Sequence, residues 1–154
     1  MFRIVGLDPS PFESLFALPD AELQARGIRR RRADAEFGYP CRVSLSDALV
    51  GEELLLLPWR HHDVDSPYQA SGPIYVRRGA SRASLAADEV PPYVTRRLMS
   101  LRAYDATAMM ASAEVVEGVE AGARLARLFE DERVAYVHLH NARPGCYSCA
   151  AVRA

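Results

Sequence analysis

The stretch His138-Leu139-His140-Asn141-Ala142-Arg143-Pro144-Gly145-Cys146-Tyr147-Ser148-Cys149 concentrates two of the four histidines, two of the three cysteines and the only asparagine of the chain. It reads as a β-hairpin: residues 134–140 alternate in polarity, and Arg143-Pro144-Gly145-Cys146 carries Pro and Gly at the central positions of a type II turn. Successive side chains leave a strand on opposite sides. Ala135, Val137 and Leu139 therefore make a core face, and Tyr136, His138 and His140 a second face. Two registers are open. With a loop of residues 141–145, His140 faces Cys146 and His138 faces Ser148; with Asn141 paired to Cys146, His140 faces Tyr147 and His138 faces Cys149. Cys146 and Cys149, three apart, project to opposite faces of a regular strand, and no second cysteine pair completes a four-cysteine zinc site.

Working outward, Ala121, Leu125, Leu128 and Phe129 form a helical stripe that predicts one well-defined helix over residues 119–132. Lying between strands, its apolar side covers one sheet face and leaves the other, where His138 and His140 point, to a loop, a partner subunit or a ligand. Residues 97–104 and 108–116 read as a hairpin, with Met99, Leu101 and Ala103 on one face, Met109, Ala111, Ala113 and Val115 on another, and the Met109-Met110 pair as core filling. Glu53-Leu54-Leu55-Leu56-Leu57 reads as a strand covered on both faces and limited by Pro58. Residues 60–72 then read as a long irregular loop whose His61-His62-Asp63 is solvated, because adjacent histidines do not readily chelate one ion in an extended chain. Residues 41–45 alternate as a strand, Cys41, Val43 and Leu45 inward, Arg42 and Ser44 outward. Strands at 2–7, 28–33 and 73–77 and short helical turns at 12–18 and 20–26 complete an α+β fold of mostly antiparallel sheet, a single domain over residues 1–154.

Composition excludes several function classes. All 19 basic residues are arginine, which removes a Schiff-base lysine and the phosphate-binding lysine of a P-loop, and no G-x-G-x-x-G occurs. A net charge of −1 gives no support for nucleic acid, and Arg29-Arg30-Arg31-Arg32, flanked by Asp34 and Glu36, reads as a solvated or edge strand. No apolar run approaches the roughly 20 residues that cross a bilayer. Three cysteines and a Met1 end without a signal segment predict free thiols and a cytoplasmic location.

Four segments, Tyr39-Pro40-Cys41-Arg42, residues 66–76, residues 101–106 and residues 140–147, together resemble a small bacterial family known as domain of unknown function family 1203. Its pattern includes the positions of Cys41, Arg42, Ser66, Pro67, Tyr68, Ser71, Gly72, His140, Asn141, Arg143, Gly145 and Cys146, and Cys149 departs from it. The resemblance implies little about activity. It directs attention to His140 and Cys146 as catalytic candidates and to Arg42, Tyr68, Ser71, Asn141 and Arg143 as ligand-binding ones.

Three functions follow as expectations, with no cofactor indicated. In the first, a thiol-dependent enzyme or small-molecule binder uses Cys146, favoured as thiolate by an imidazole and Arg143, while Arg42 and Arg143 clamp a small anionic ligand. In the second, His138 or His140 joins Cys41 and Cys146 around zinc or iron. In the third, the domain is structural, and its C-terminal strand, ending Val152-Arg153-Ala154 at a sheet edge, pairs with a second copy as a homodimer.

Overall fold

The computed structural model describes residues 1–154. In chain order the elements are β1 Phe2–Val5, α1 Ser10–Glu13, α2 Asp20–Ala25, β2 Arg29–Arg32, β3 Pro40–Cys41, β4 Ser46–Asp47, β5 Glu53–His62, β6 Ala70–Arg77, α3 Pro92–Thr95, β7 Leu98–Tyr104, β8 Met110–Glu117, α4 Ala121–Leu128, β9 Tyr136–Asn141 and β10 Tyr147–Arg153. They build two five-stranded sheets, the first in the order β1-β10-β9-β7-β8 and the second β2-β5-β6-β3-β4. All pairings are antiparallel except β3 with β6, where Cys41 lies beside Tyr75. The α+β architecture expected from the periodicities is the one found. No helix is long and apolar enough to cross a membrane.

One face of the first sheet carries Met99, Leu101, Val137 and Leu139, and the apolar stripe of α4, Ala121 and Leu125 followed by Phe129, closes over it. Burying each such Leu contributes roughly 1.5–3 kcal/mol. The helix is shorter than the stripe implied. A 3₁₀ turn at Gly118–Glu120 precedes it and residues 129–133 leave it in turns, where Phe129 still reaches the core. The second core gathers Cys41, Val43, Leu55, Leu57, Ile74 and Val76 beneath Phe12, Phe16 and Leu23 of the N-terminal turns. β2 is an edge strand, as its four arginines suggested, and Arg30 Nη1 donates to Glu53 of the neighbouring β5 at 2.7 Å.

Several local readings change. Pro58 does not end its strand: β2 pairs only with Glu53–Leu56, so beyond Leu56 that edge of β5 is free, and a residue without an N–H is tolerated there. β5 therefore runs through His61 and His62, and the expected 60–72 loop shrinks to residues 63–69 between β5 and β6. The segment after Cys41 is a turn, closed by the Leu45 N–H donating to the Cys41 carbonyl, so Arg42 swings inward and is buried. Met109 and Val115 are exposed, because β8 is the outer strand and only Val116 turns to the core. The C-terminal strand is no edge either: β10 lies between β1 and β9, so this strand is not free to pair with a second copy.

The two sheets meet where β1 ends. The Leu7 N–H donates to the Arg42 carbonyl at 2.9 Å, and Gly6 passes so close to the turn that an added Cβ would overlap the Val43 carbonyl oxygen. Backbone on both sides leaves no room for relaxation. Gly6→Ala is expected to destabilise the fold by about 1–3 kcal/mol in urea unfolding, whereas Gly38→Ala, with nothing near its Cβ, stays within about 0.5 kcal/mol of the parent.

Candidate functional site

The β9–β10 hairpin is closed by the Asn141 N–H donating to the Cys146 carbonyl at 2.9 Å and the Gly145 N–H donating to the Asn141 carbonyl at 2.8 Å. Gly145 holds φ +79°, a left-handed conformation that glycine takes without strain, and because its N–H bonds Asn141 the turn spans residues 141–145 instead of the four-residue type II turn expected over residues 143–146. His140 pairs with Tyr147, the second of the two open registers. Ser148 is then an extra residue in a β-bulge, so Leu139 faces Cys149 and His138 faces Ala150, a pairing that neither register anticipated.

This register gives the hairpin two chemically different faces. Asn141 and Cys146 share one, with Asn141 Nδ2 donating to Cys146 Sγ at 3.4 Å, while consecutive His140 projects to the other. His140 and Cys146, expected as partners, are not brought together. On the Cys146 side, Arg42 Nη2 donates to Sγ at 3.1 Å, Nε to the Tyr147 carbonyl at 2.8 Å and Nη1 to the Pro40 carbonyl at 2.6 Å. Arg42 is only 2% exposed, and none of these partners is a carboxylate. A buried guanidinium so arranged is poorly neutralised and places positive charge against the sulfur.

Arg42, Asn141, Arg143 and Cys146 line one cavity of about 480 Å³, joined by Tyr75, Arg96, Arg97 and Glu117. Arg96 and Arg97 both pair with the buried Asp47 carboxylate, Arg96 at 3.9 Å while stacked over the Phe37 ring. Arg143 is exposed at the rim. A larger cavity of about 560 Å³, between α1 and β6, gathers arginines but no thiol or imidazole, and so offers less chemistry.

The remaining expected residues lie elsewhere. Ser71 sits on a groove beside Gly27 and Pro73, Tyr68 packs edge-on to Tyr104, and Cys41 is buried in the second core, where its sulfur accepts the Arg77 N–H. The set His138, His140, Cys41 and Cys146 is thus dispersed. Cys149 is core packing, its thiol pushed up to about 12 by burial.

On the opposite face all four histidines come together. β5 carries a bulge between Trp59 and His62, which lets two consecutive side chains reach the same neighbours: His61 lies 5.1 Å from His140 and His62 4.8 Å from His138, ring centre to ring centre. His62 Nδ1 lies 2.7 Å from the Tyr68 carbonyl, an obligate acceptor, so Nδ1 carries a proton, and Nε2 hydrogen-bonds with the Tyr136 hydroxyl at 2.8 Å. Burial is the main cause that lowers His138 to about 3 and His61 and His140 to about 4. Arg102, opposite His138 in register, adds to the same direction. Sequence reasoning missed His61 and His62 because the bulge and the free edge at Pro58 follow from strand pairing; the one legible signal was that all four histidines fall in two His-rich pairs.

Residues 38–153 match the family model described as a protein of unknown function (DUF1203). The chain belongs to this family. The DUF1203 match spans both faces of the hairpin and the β5–β6 hairpin beside it, and it leaves out β1, α1, α2 and β2. No curated protein and no solved structure matches the chain.

Of the three free thiols only Cys146 is not buried. A disulfide-exchange reagent at neutral pH is expected to titrate one thiol per folded chain, none in Cys146→Ser, and three once the parent is unfolded in denaturant.

Proposed function

We propose that this protein binds a small molecule bearing a carboxylate or phosphate in the arginine-lined cavity, with Cys146 as the chemically active side chain on its floor. The observation that carries the reading is Arg42, a buried guanidinium with no carboxylate partner, aimed at a thiol that an open cavity exposes. A guanidinium held by backbone carbonyls is rigid, so its charge is preorganised rather than recruited on binding. Arg143 supplies a second, exposed fork at the rim, suited to bidentate capture of an anion. Asn141 fixes the sulfur from its other side. In this reading His140 is a positioning residue: its ring hydrogen-bonds the Gly145 carbonyl at 3.0 Å and steadies the loop that presents Cys146. Three unpaired thiols fit a reducing, cytoplasmic setting.

The charge around the sulfur makes the reading testable without knowing the ligand. The rate of Cys146 alkylation by iodoacetate relative to neutral iodoacetamide, divided by the same ratio for free cysteine, is expected to exceed unity by about tenfold or more, as focused fields raise local anion concentration. Arg143→Ala is expected to reduce the ratio severalfold with the fold intact, and Arg42→Met to abolish it. A ratio equal to that of free cysteine in the parent protein would refute the anion site.

A further inference from the structure

The groups around Cys146 narrow the chemistry that its thiol can do. Two N–H donors converge on the sulfur, Arg42 Nη2 at 3.1 Å and Asn141 Nδ2 at 3.4 Å. No imidazole joins them: the cavity wall holds no histidine, and His140 turns to the opposite face of the hairpin, with Nδ1 on the Gly145 carbonyl. Cleaving an amide or an ester calls for a proton handed to the leaving group, and no histidine stands here to hand it over. A thiolate leaves without one, so the electrophile that suits this site is a disulfide.

Asn141 specifies the rest of that disulfide. It lines the cavity and is only 6% exposed, yet with Nδ2 committed to the sulfur its buried Oδ1 accepts no hydrogen bond. A buried acceptor without a donor is costly, so the position calls for an N–H brought by the ligand. Both amide atoms belong to one side chain, which puts that acceptor next to Sγ, where an N–H two carbons from the ligand's own sulfur arrives. Charge is offered beyond it. Arg96 and Arg97 share the Asp47 carboxylate, while Arg143 at the rim has no acidic partner and is free to take a carboxylate.

We propose that Cys146 exchanges with the disulfide of a small anionic thiol, one that carries an N–H beside its carboxylate, and retains one half of it as a mixed disulfide. This substrate class rests on the anion-binding reading of the same cavity. In the exchange the Cys146 thiolate attacks one sulfur of R–S–S–R. The S–S bond to Cys146 forms as the old one breaks, and the electron pair leaves on R–S⁻, which takes up the proton that Cys146 gave to solvent. Cys146 is oxidised to the disulfide level and the released half is reduced to a thiol, so the ligand is itself the oxidant. The fold stops the reaction there. Cys149 is sealed in the core beside Leu139 and Cys41 in the second core, so no resolving thiol of the chain displaces the retained half, and a second external thiol is needed to free Cys146.

The test exposes the reduced full chain at neutral pH to four symmetrical disulfides, follows adduct formation by intact mass, and divides each rate by that of the same disulfide with mercaptoethanol. The disulfides of N-acetylcysteine and of mercaptopropionate carry their carboxylates at the same distance from sulfur and differ only in the acetamido N–H; hydroxyethyl disulfide is neutral and cystamine cationic. The expected result is one adduct per chain, absent in Cys146→Ser and reversed by excess thiol. The N-acetylcysteine disulfide is expected to react about tenfold or more faster than cystamine, and severalfold faster than the mercaptopropionate disulfide. Asn141→Leu, checked for folding by circular dichroism, is expected to close the second gap and keep the first. No adduct in the parent, equal normalised rates for the N-acetylcysteine and mercaptopropionate disulfides, or an adduct that gives way to a disulfide within the chain would each overturn this inference, and the anion site would stand so long as iodoacetate keeps its preference. Loss of that preference together with equal rates for the anionic and cationic disulfides would overturn both.

Discussion

The geometry of the Cys146 cavity depends on one buried cation. Arg42 sits where β1, the turn after β3 and β10 converge, and its guanidinium spends its donors on the Pro40 and Tyr147 carbonyls and on the Cys146 sulfur. Those bonds clamp the second sheet to the hairpin of the first, while the Arg42 backbone receives Leu7 and donates to Tyr75. A hydrophobic residue of similar volume would fill the space but leave two buried carbonyls unpaired, so the position is fixed by hydrogen bonding as much as by packing. The same constraint that joins the sheets also sets the electrostatics at the thiol.

The hairpin of β9 and β10 then separates two chemistries by strand alternation alone. Asn141 and Cys146 look toward arginines, His138 and His140 toward imidazoles and tyrosines, and the one-residue offset between His140 and Asn141 is enough to keep them apart. Bulges refine this partition. The extra residue Ser148 sends Cys149 into the core beside Leu139, and the bulge after Trp59 brings both His61 and His62 onto the far face. Tyr104, Tyr136 and Tyr147 pack around the imidazoles, and burial keeps His61, His138 and His140 uncharged.

Patterns internal to one element were legible from the residues. The alternation of 134–140 placed Val137 and Leu139 in the core and His138 and His140 opposite, the Ala121–Leu125 stripe located the helix, and the arginine run marked an edge strand. Of the residues that the family resemblance singled out, Arg42, Asn141, Arg143 and Cys146 line one cavity, while Tyr68, Ser71 and His140 lie outside it. What escaped was relational. Whether Pro58 ends a strand depends on how far β2 extends alongside it, whether Arg42 points in or out depends on a turn closed by Leu45, and whether His140 meets Cys146 depends on register.

Side-chain polarity and period are properties of a local segment, so the amino-acid sequence by itself determined the fold class, the two faces of β9 and the residue types available for chemistry. Pairing partners, bulges and edges are fixed only when segments far apart in the chain compete for the same hydrogen bonds. For that reason the tertiary structure alone decided that the thiol belongs with buried arginine and that four histidines, split between residues 61–62 and 138–140, share one buried cluster.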